Sequence, residues 1–165
     1  MTTQNLPMKL AEAVADKIVE WGLIPWGAKT PVACLLPEYD TTHERGLKVA
    51  VIPSNITTDS RVARGVVKQI FATQVTIMKY LPDGDPNEAN DALALAERLT
   101  ALFSGADIFV GDIRFSVSAV VMFGASEVLW NGDYQIDGLL KQETLAPADV
   151  FSSSFVVIAT RYIVN

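Results

Sequence analysis

The only histidine of the chain lies in an acidic segment whose side chains could carry protons or bind a metal. His43 stands in the sequence EYDTTHERG, close to Glu38, Asp40 and Glu44. Imidazole and carboxylate groups are common zinc ligands and common general acids and bases. The same residues also describe an exposed acidic loop with a solvent-facing imidazole, and their spacing does little to favour a site over such a loop. A small enzyme or ligand-binding domain using this segment is the least favoured hypothesis, and we expect His43 to be dispensable.

Two other polar groups lack the partners that chemistry would need. Ser152, Ser153 and Ser154 could include a nucleophile, but a seryl nucleophile needs a positioned base, and the histidine is far away in the sequence. Asp83 and Asp85 in PDGDP lack the further oxygen ligands of a calcium loop, so we interpret them as a turn and a helix cap. The chain has no Gly-rich phosphate loop, H-E-x-x-H, G-x-S-x-G or C-x-x-C. The sequence predicts a protein that is not an enzyme and uses no cofactor or metal.

The composition of the 165-residue chain favours one domain and argues against specific nucleic-acid binding. Half of the residues are hydrophobic and the mean hydropathy is +0.26, so we expect part of the apolar surface to meet other subunits. The formal net charge is -6, and no block of basic residues is present to neutralise phosphates. We predict a single domain over residues 1–165.

The cysteine content and the distribution of apolar residues bear on redox chemistry and on membranes. Cys34 is the only cysteine, which excludes an internal disulfide, and its position in VACLL predicts a buried, unreactive thiol. The beginning of the chain lacks the basic start and apolar stretch of a signal peptide. No apolar run approaches the roughly 20 residues of a membrane-spanning helix. The sequence predicts no membrane association.

Two amphipathic helices are predicted to form one layer of the fold. Apolar residues recur at helical spacing over residues 8–22, and Gly22 is placed to end this helix. Its buried stripe is predicted to contain Leu10, Val14, Ile18 and Trp21. A second helix is predicted over Pro86–Phe103, with Asp85 as its cap and Gly105 as its stop. Its buried stripe is predicted to contain Leu95, Leu99 and Leu102 with Ala92, Ala96 and Phe103.

The other layer is predicted to be a sheet. The segments with strand composition are 32–37, 47–53, 65–81, 108–124, 127–144 and 151–165. Residues 65–81 are long for one strand, so they either bend near Ala72 and Thr73 or project beyond the sheet. One buried face is predicted for Phe115, Val117, Ala119 and Val121. The element order predicts an α+β fold: a mainly antiparallel sheet with two helices on one face, with a long projecting β-hairpin as an option.

Two kinds of segment are candidates for contacts between subunits. The stretch VIPSNITTDSRVAR, residues 51–64, predicts a polar loop between two strands, with Arg61 and Arg64 at its exit. Trp26 lies among Pro and Gly, and Trp130 lies in LWNGD, which are turn-like contexts where an aromatic is often an interface anchor. Packing in the core or at a hinge explains either tryptophan at least as well.

The order of these segments resembles the small tail terminator and tail-completion proteins of long-tailed bacteriophages. The resemblance lies in the N-terminal amphipathic helix, the strands LLPEYD and LKVAVIP, and the arginine-containing loop TTDSRVAR. It continues through the long strand, the helix NDALALAERLTALF and the closing strand FVVIATRYIV. It therefore covers nearly the whole chain.

The resemblance implies a structural virion protein, assembled in the host cytoplasm and located in the tail or neck. Such proteins form rings, typically hexameric, at the head-proximal end of the tail, where they end polymerisation of the major tail protein and meet neck proteins. DNA would pass through the ring without specific binding. On this basis Asp59, Arg61 and Arg64 are candidates for ion pairs between subunits, and an ordinary solvated loop is the alternative. A head–tail connector or stopper protein of the same neck region is the alternative function.

Overall fold

The computed structural model describes residues 5–24, 31–34, 47–58, 63–80, 86–122 and 150–164. These residues form two helices and six strands. In chain order they are α1 (Leu6–Trp21), β1 (Val32–Ala33), β2 (Leu47–Thr58), β3 (Val66–Tyr80), α2 (Pro86–Phe103), β4 (Asp107–Val110), β5 (Ile113–Met122) and β6 (Val150–Val164).

The strands form one six-stranded sheet in the order β1-β2-β3-β6-β5-β4. All neighbouring pairs are antiparallel except β1 and β2, which run parallel, so the sheet is mixed but mainly antiparallel. The strands β3 and β6 pair along their whole length, from Val66 opposite Val164 to Tyr80 opposite Val150. Strands β3 and β6 therefore lie at the centre of the sheet.

Both helices pack on the same face of the sheet, as predicted for this α+β fold. Helix α1 contacts β1 and β2 near one edge of the sheet and β4 at the other, so the sheet curls around α1. Helix α2 lies against the central strands β3, β5 and β6. The twist common to all sheets allows two edges to approach one helix in this way.

Local signals set the ends of the helices. The side chain of Asn5 caps α1 by accepting a hydrogen bond from the Met8 N–H at 2.8 Å. Gly22 ends the helix in the left-handed conformation (φ 66°), and its N–H donates to the Val19 carbonyl. The predicted bounds of α2, Pro86–Phe103, agree with the structure.

One hydrophobic core joins the two helices to the sheet. The fully buried side chains include four phenylalanines, Phe71, Phe103, Phe115 and Phe155. The rings of Phe71 and Phe115 meet edge to face with centroids 5.3 Å apart. The ring of Trp21 meets Phe103 in the same way at 4.6 Å and thereby joins α1 to α2. The predicted stripe of α1 is confirmed, although Trp21 is only half-buried.

Three predictions about the core are wrong in detail. Leu102 of α2 is 40% exposed, because it lies to one side of the stripe through Leu95 and Leu99. Ala119 and Val121 are exposed, because a β-bulge between Val117 and Ala119 shifts the alternation of β5 by one residue. Cys34 is half-buried rather than buried, and its N–H donates to the Val51 carbonyl at 2.9 Å.

Strand β2 continues into the segment predicted to be a polar loop. It runs five residues past Pro53 to Thr58. A bulge between Pro53 and Asn55 absorbs the proline, which has no N–H to donate to the ladder. Beyond the bulge, β-branched residues favour an extended backbone. The irregularity expected near Ala72 of β3 therefore occurs on the opposing strand.

The strands β2, β3 and β6 extend beyond the core at one end. Toward that end the core stops at Phe71 of β3 and Ala159 of β6. Both strands continue for several residues, and β6 accompanies β3 along all of them. The projecting element is therefore a ribbon of β3 and β6, which β2 accompanies only as far as Gln69, rather than a hairpin of two consecutive strands. We call residues 63–70 and 161–164 the ribbon end.

Candidate subunit interface

Of the five residues predicted to form subunit contacts, one lies in the part of the chain that the structure describes. Arg64 is exposed at the ribbon end. The other four, Asp59, Arg61, Trp26 and Trp130, lie outside the described residues, as does His43. The candidate interface is therefore built outward from Arg64.

A tight turn places Arg64 immediately before β3. The Val66 N–H donates to the Ala63 carbonyl at 3.0 Å, which closes a four-residue turn with Arg64 and Gly65 in its centre. Gly65 has a φ of 75°, a conformation that residues with a Cβ rarely adopt. Among the described residues Arg64 forms no ion pair, because the two ion pairs there join Lys17 to Glu20 and Arg114 to Asp107.

Two apolar side chains are exposed beside this turn. Tyr162 is 58% exposed and Val164 is 77% exposed. They lie opposite Lys68 and Val66 in the register of β3 and β6. The Phe71–Ala159 pair faces the helices. The Lys68–Tyr162 and Val66–Val164 pairs lie three and five residues further along the strands, so their side chains lie on the face opposite α1 and α2. Exposed apolar groups at the end of a rigid ribbon are suited to contact another protein.

Among the described residues, none pairs with the second side of β6 at the ribbon end. Strand β5 pairs with β6 from Phe155 to Thr160. Within the described residues, positions 161–164 pair only with β3. Open edges in natural sheets usually carry charges, prolines or bulges that prevent association. Positions 162–164 are Tyr, Ile and Val and carry none of these.

Arg161 holds the base of the ribbon end to the core. Its Nε donates a hydrogen bond to Gln69 Oε1 at 2.7 Å across the β3–β6 pair. Its guanidinium carbon also lies 5.9 Å from the centre of the Phe115 ring, within the range of a cation–π contact. The cation of Arg161 is thus used within the subunit, whereas Arg64 is exposed.

Charge is segregated between the strands β2, β3 and β6 and the remainder of the chain. The segments 47–58, 63–80 and 150–164 contain five basic residues, Lys48, Arg64, Lys68, Lys79 and Arg161, and no Asp or Glu. All nineteen acidic residues therefore lie elsewhere in the chain, whose net charge is -6. The ribbon end is therefore a basic and apolar surface on an acidic protein.

The described residues bear on two of the chemical groups raised by the sequence, metal ligands and the serine run. They contain no group of three or more His, Cys, Asp or Glu side chains that could hold a metal. In the serine run, Ser154 shares a hydrogen bond with Thr76 at 2.9 Å, and Ser153 is buried in the core. Among the described helices, none is long and apolar enough to cross a membrane.

Sequence reasoning placed Arg64 at the exit of a polar loop but did not single out Tyr162 or Val164. Both lie in the apolar closing strand, and composition alone does not reveal where the core stops along a long strand. The place where β5 leaves β6 would have given that signal, and it depends on pairing between distant segments.

Comparison with known proteins adds no identity, because no protein-family model and no curated protein matches the chain.

Proposed function

We propose that the chain is a structural virion protein that forms a ring at the head-proximal end of a phage tail. The ring would end polymerisation of the tail tube and join the tail to the neck, with the major tail protein and neck proteins as partners. The phage assignment rests on the resemblance in segment order. The assembly role rests on one structural observation: a rigid ribbon that extends past the core and ends in exposed Arg64, Tyr162 and Val164.

The charge of the ribbon end supports assembly through contacts between two different surfaces of the chain. Contacts between two different patches of the same chain generate closed rings when the rotation closes. The ribbon end is basic and apolar, and the chain as a whole is acidic. A protruding patch of one charge on a protein of the opposite charge favours such head-to-tail contacts between copies.

Deletion of the gene from the phage that encodes this chain tests the proposal, with the wild-type chain supplied from a plasmid as the control. A tail terminator predicts overlong tails that are not joined to heads, as seen by negative-stain microscopy. Tails of normal length beside tailless, DNA-filled heads would instead indicate a connector or stopper. Normal infectious particles from the deleted phage would contradict both assignments.

A further inference from the structure

A surface complementary to the ribbon end lies on the outer side of α1. Asp16, Val19 and Glu20 are exposed on adjoining turns of that helix, and Val19 is 48% exposed. Their spacing of three and four residues places them on one face. We call these three residues the outer stripe of α1. It is acidic and partly apolar, whereas the ribbon end is basic and partly apolar.

The neighbouring lysine leaves the outer stripe acidic. Lys17 Nζ lies 3.7 Å from Glu20 Oε2, and it also lies 5.8 Å from the centre of the Trp21 ring. It therefore balances at most one carboxylate, while the carboxylate of Asp16 remains exposed.

We propose that the ribbon end of one copy docks on the outer stripe of α1 in the next copy. Arg64 and Lys68 would face the carboxylates of Asp16 and Glu20, and Tyr162 or Val164 would cover Val19. The inference rests on the proposed ring and identifies the surfaces that join its subunits. A second copy is favoured as the occupant because its charge and its exposed apolar group both match the ribbon end.

The two surfaces are different patches of the subunit, which is what a head-to-tail contact requires. The ribbon end lies past the end of the core, and the outer stripe lies on the helix that packs against β1, β2 and β4. In a head-to-tail contact each copy retains one free surface of each kind after its first contact. Such a contact continues from copy to copy until the ring closes.

Paired charge reversals test the inference. One variant carries Arg64→Glu and Lys68→Glu, and the other carries Asp16→Lys and Glu20→Lys. In a ring of either variant alone, like charges would face each other at every contact between subunits. The protein concentration at which half of the chains are assembled should therefore rise by about tenfold or more. The helix variant also brings the net charge of the protein closer to zero, which by itself favours non-specific association. A loss of assembly in this variant would therefore come from the reversed contact and not from overall charge repulsion. Light scattering after size-exclusion chromatography measures the assembly.

Mixing the two variants provides the decisive result. Every contact in an alternating ring of the two chains again joins opposite charges, and so does every contact in a chain carrying all four changes. Assembly should therefore return to near the wild-type concentration in both samples. Lys79→Glu, and Asp91→Lys with Glu97→Lys, are the matched controls, because they reverse charges away from both surfaces and should leave assembly unchanged.

The outcomes separate this inference from the proposed function. Two results would overturn the docking of the ribbon end on α1. In the first, assembly survives either charge reversal; in the second, both variants lose assembly and mixing does not restore it. Neither result overturns the ring itself. A wild-type chain that is monomeric at every concentration, alone and in the virion, overturns the ring and the docking together. Restored assembly in the mixture and in the fourfold variant supports the docking.

Discussion

Arg161 and Gln69 are joined across the β3–β6 pair by a hydrogen bond of 2.7 Å from Nε to Oε1. This side-chain contact lies at the base of the ribbon end, where β3 and β6 leave the core. The guanidinium also covers the edge of the core at Phe115. The contact therefore fixes the direction in which the ribbon end extends, and with it the position of Tyr162.

Replacing Arg161 should destabilise the fold as well as the ribbon end. Arg161→Ala removes a charged hydrogen-bond donor and the cover over Phe115, so we expect a loss of about 1–3 kcal/mol in the free energy of unfolding. Arg161→Lys should recover less than half of it, because an ammonium does not reproduce a planar guanidinium. Urea unfolding measures both, with Arg98→Ala on the surface of α2 as the control. Equal stability of Arg161→Ala and the wild type would contradict the anchoring role.

The hydroxyl of Thr76 should matter more than its size suggests. It lies 2.9 Å from the Ser154 hydroxyl and accepts a hydrogen bond from Gln74 Nε2 at 3.0 Å, and both hydroxyl residues are buried. Thr76→Val keeps the shape but leaves the Ser154 hydroxyl without this partner, which costs about 1–3 kcal/mol. The double variant with Ser154→Ala should lose less than the sum of the two single changes. Additive losses in a double-mutant cycle would show that the two hydroxyls do not interact.

Ser153 should respond in the opposite direction. Its hydroxyl is buried in the core, and no hydrogen-bond partner is present for it among the described residues. Burying such a group without a partner costs about 1–3 kcal/mol, so Ser153→Ala should be neutral or stabilising by up to about that amount. Thermal unfolding followed by circular dichroism measures the change. A clear loss of stability would mean that the hydroxyl has a partner in the folded protein.

Much of the fold could be predicted because local signals and the hydrophobic pattern agree. The bounds of α2 follow from Pro86 at its start and Gly105 beyond its end, and the buried stripe of α1 follows from helical spacing. Pairing could not be predicted in the same way. Pro53 appeared to end a strand, yet a bulge beside it lets β2 continue to Thr58.

The candidate interface shows the same limit more strongly. The exposed position of Arg64 could be predicted because Gly65 marks a turn. The exposure of Tyr162 and Val164 could not, because their sequence is as apolar as that of the buried part of β6. Only the departure of β5 at Thr160 distinguishes the two parts, and a single sequence does not encode it locally.

His43 should be dispensable, since its neighbours fit a solvated acidic loop. His43→Ala is expected to change the free energy of unfolding by no more than about 0.5 kcal/mol, as for ordinary surface positions. Phage carrying this change should assemble normal numbers of infectious particles. A plaque assay at matched protein levels is the measurement, and loss of infectivity with normal folding would indicate a site in the acidic segment.

Reversing both arginines of the turn region separates an interface from a solvated loop. Arg64 is exposed and lies outside the core, so Arg61→Glu with Arg64→Glu should leave the circular dichroism spectrum unchanged. If these residues contact neighbouring subunits, ring formation should fail, because like charges then oppose each other where groups are partly desolvated. The corresponding phage should make overlong or unjoined tails in negative stain.

Normal, joined tails would reject the interface and favour a solvated loop, for which surface charges contribute little. A lost circular dichroism signal would instead mean that the arginines stabilise the subunit itself. Arg98→Glu, which reverses an exposed charge on α2, is the matched control, because it should affect neither the spectrum nor the tails.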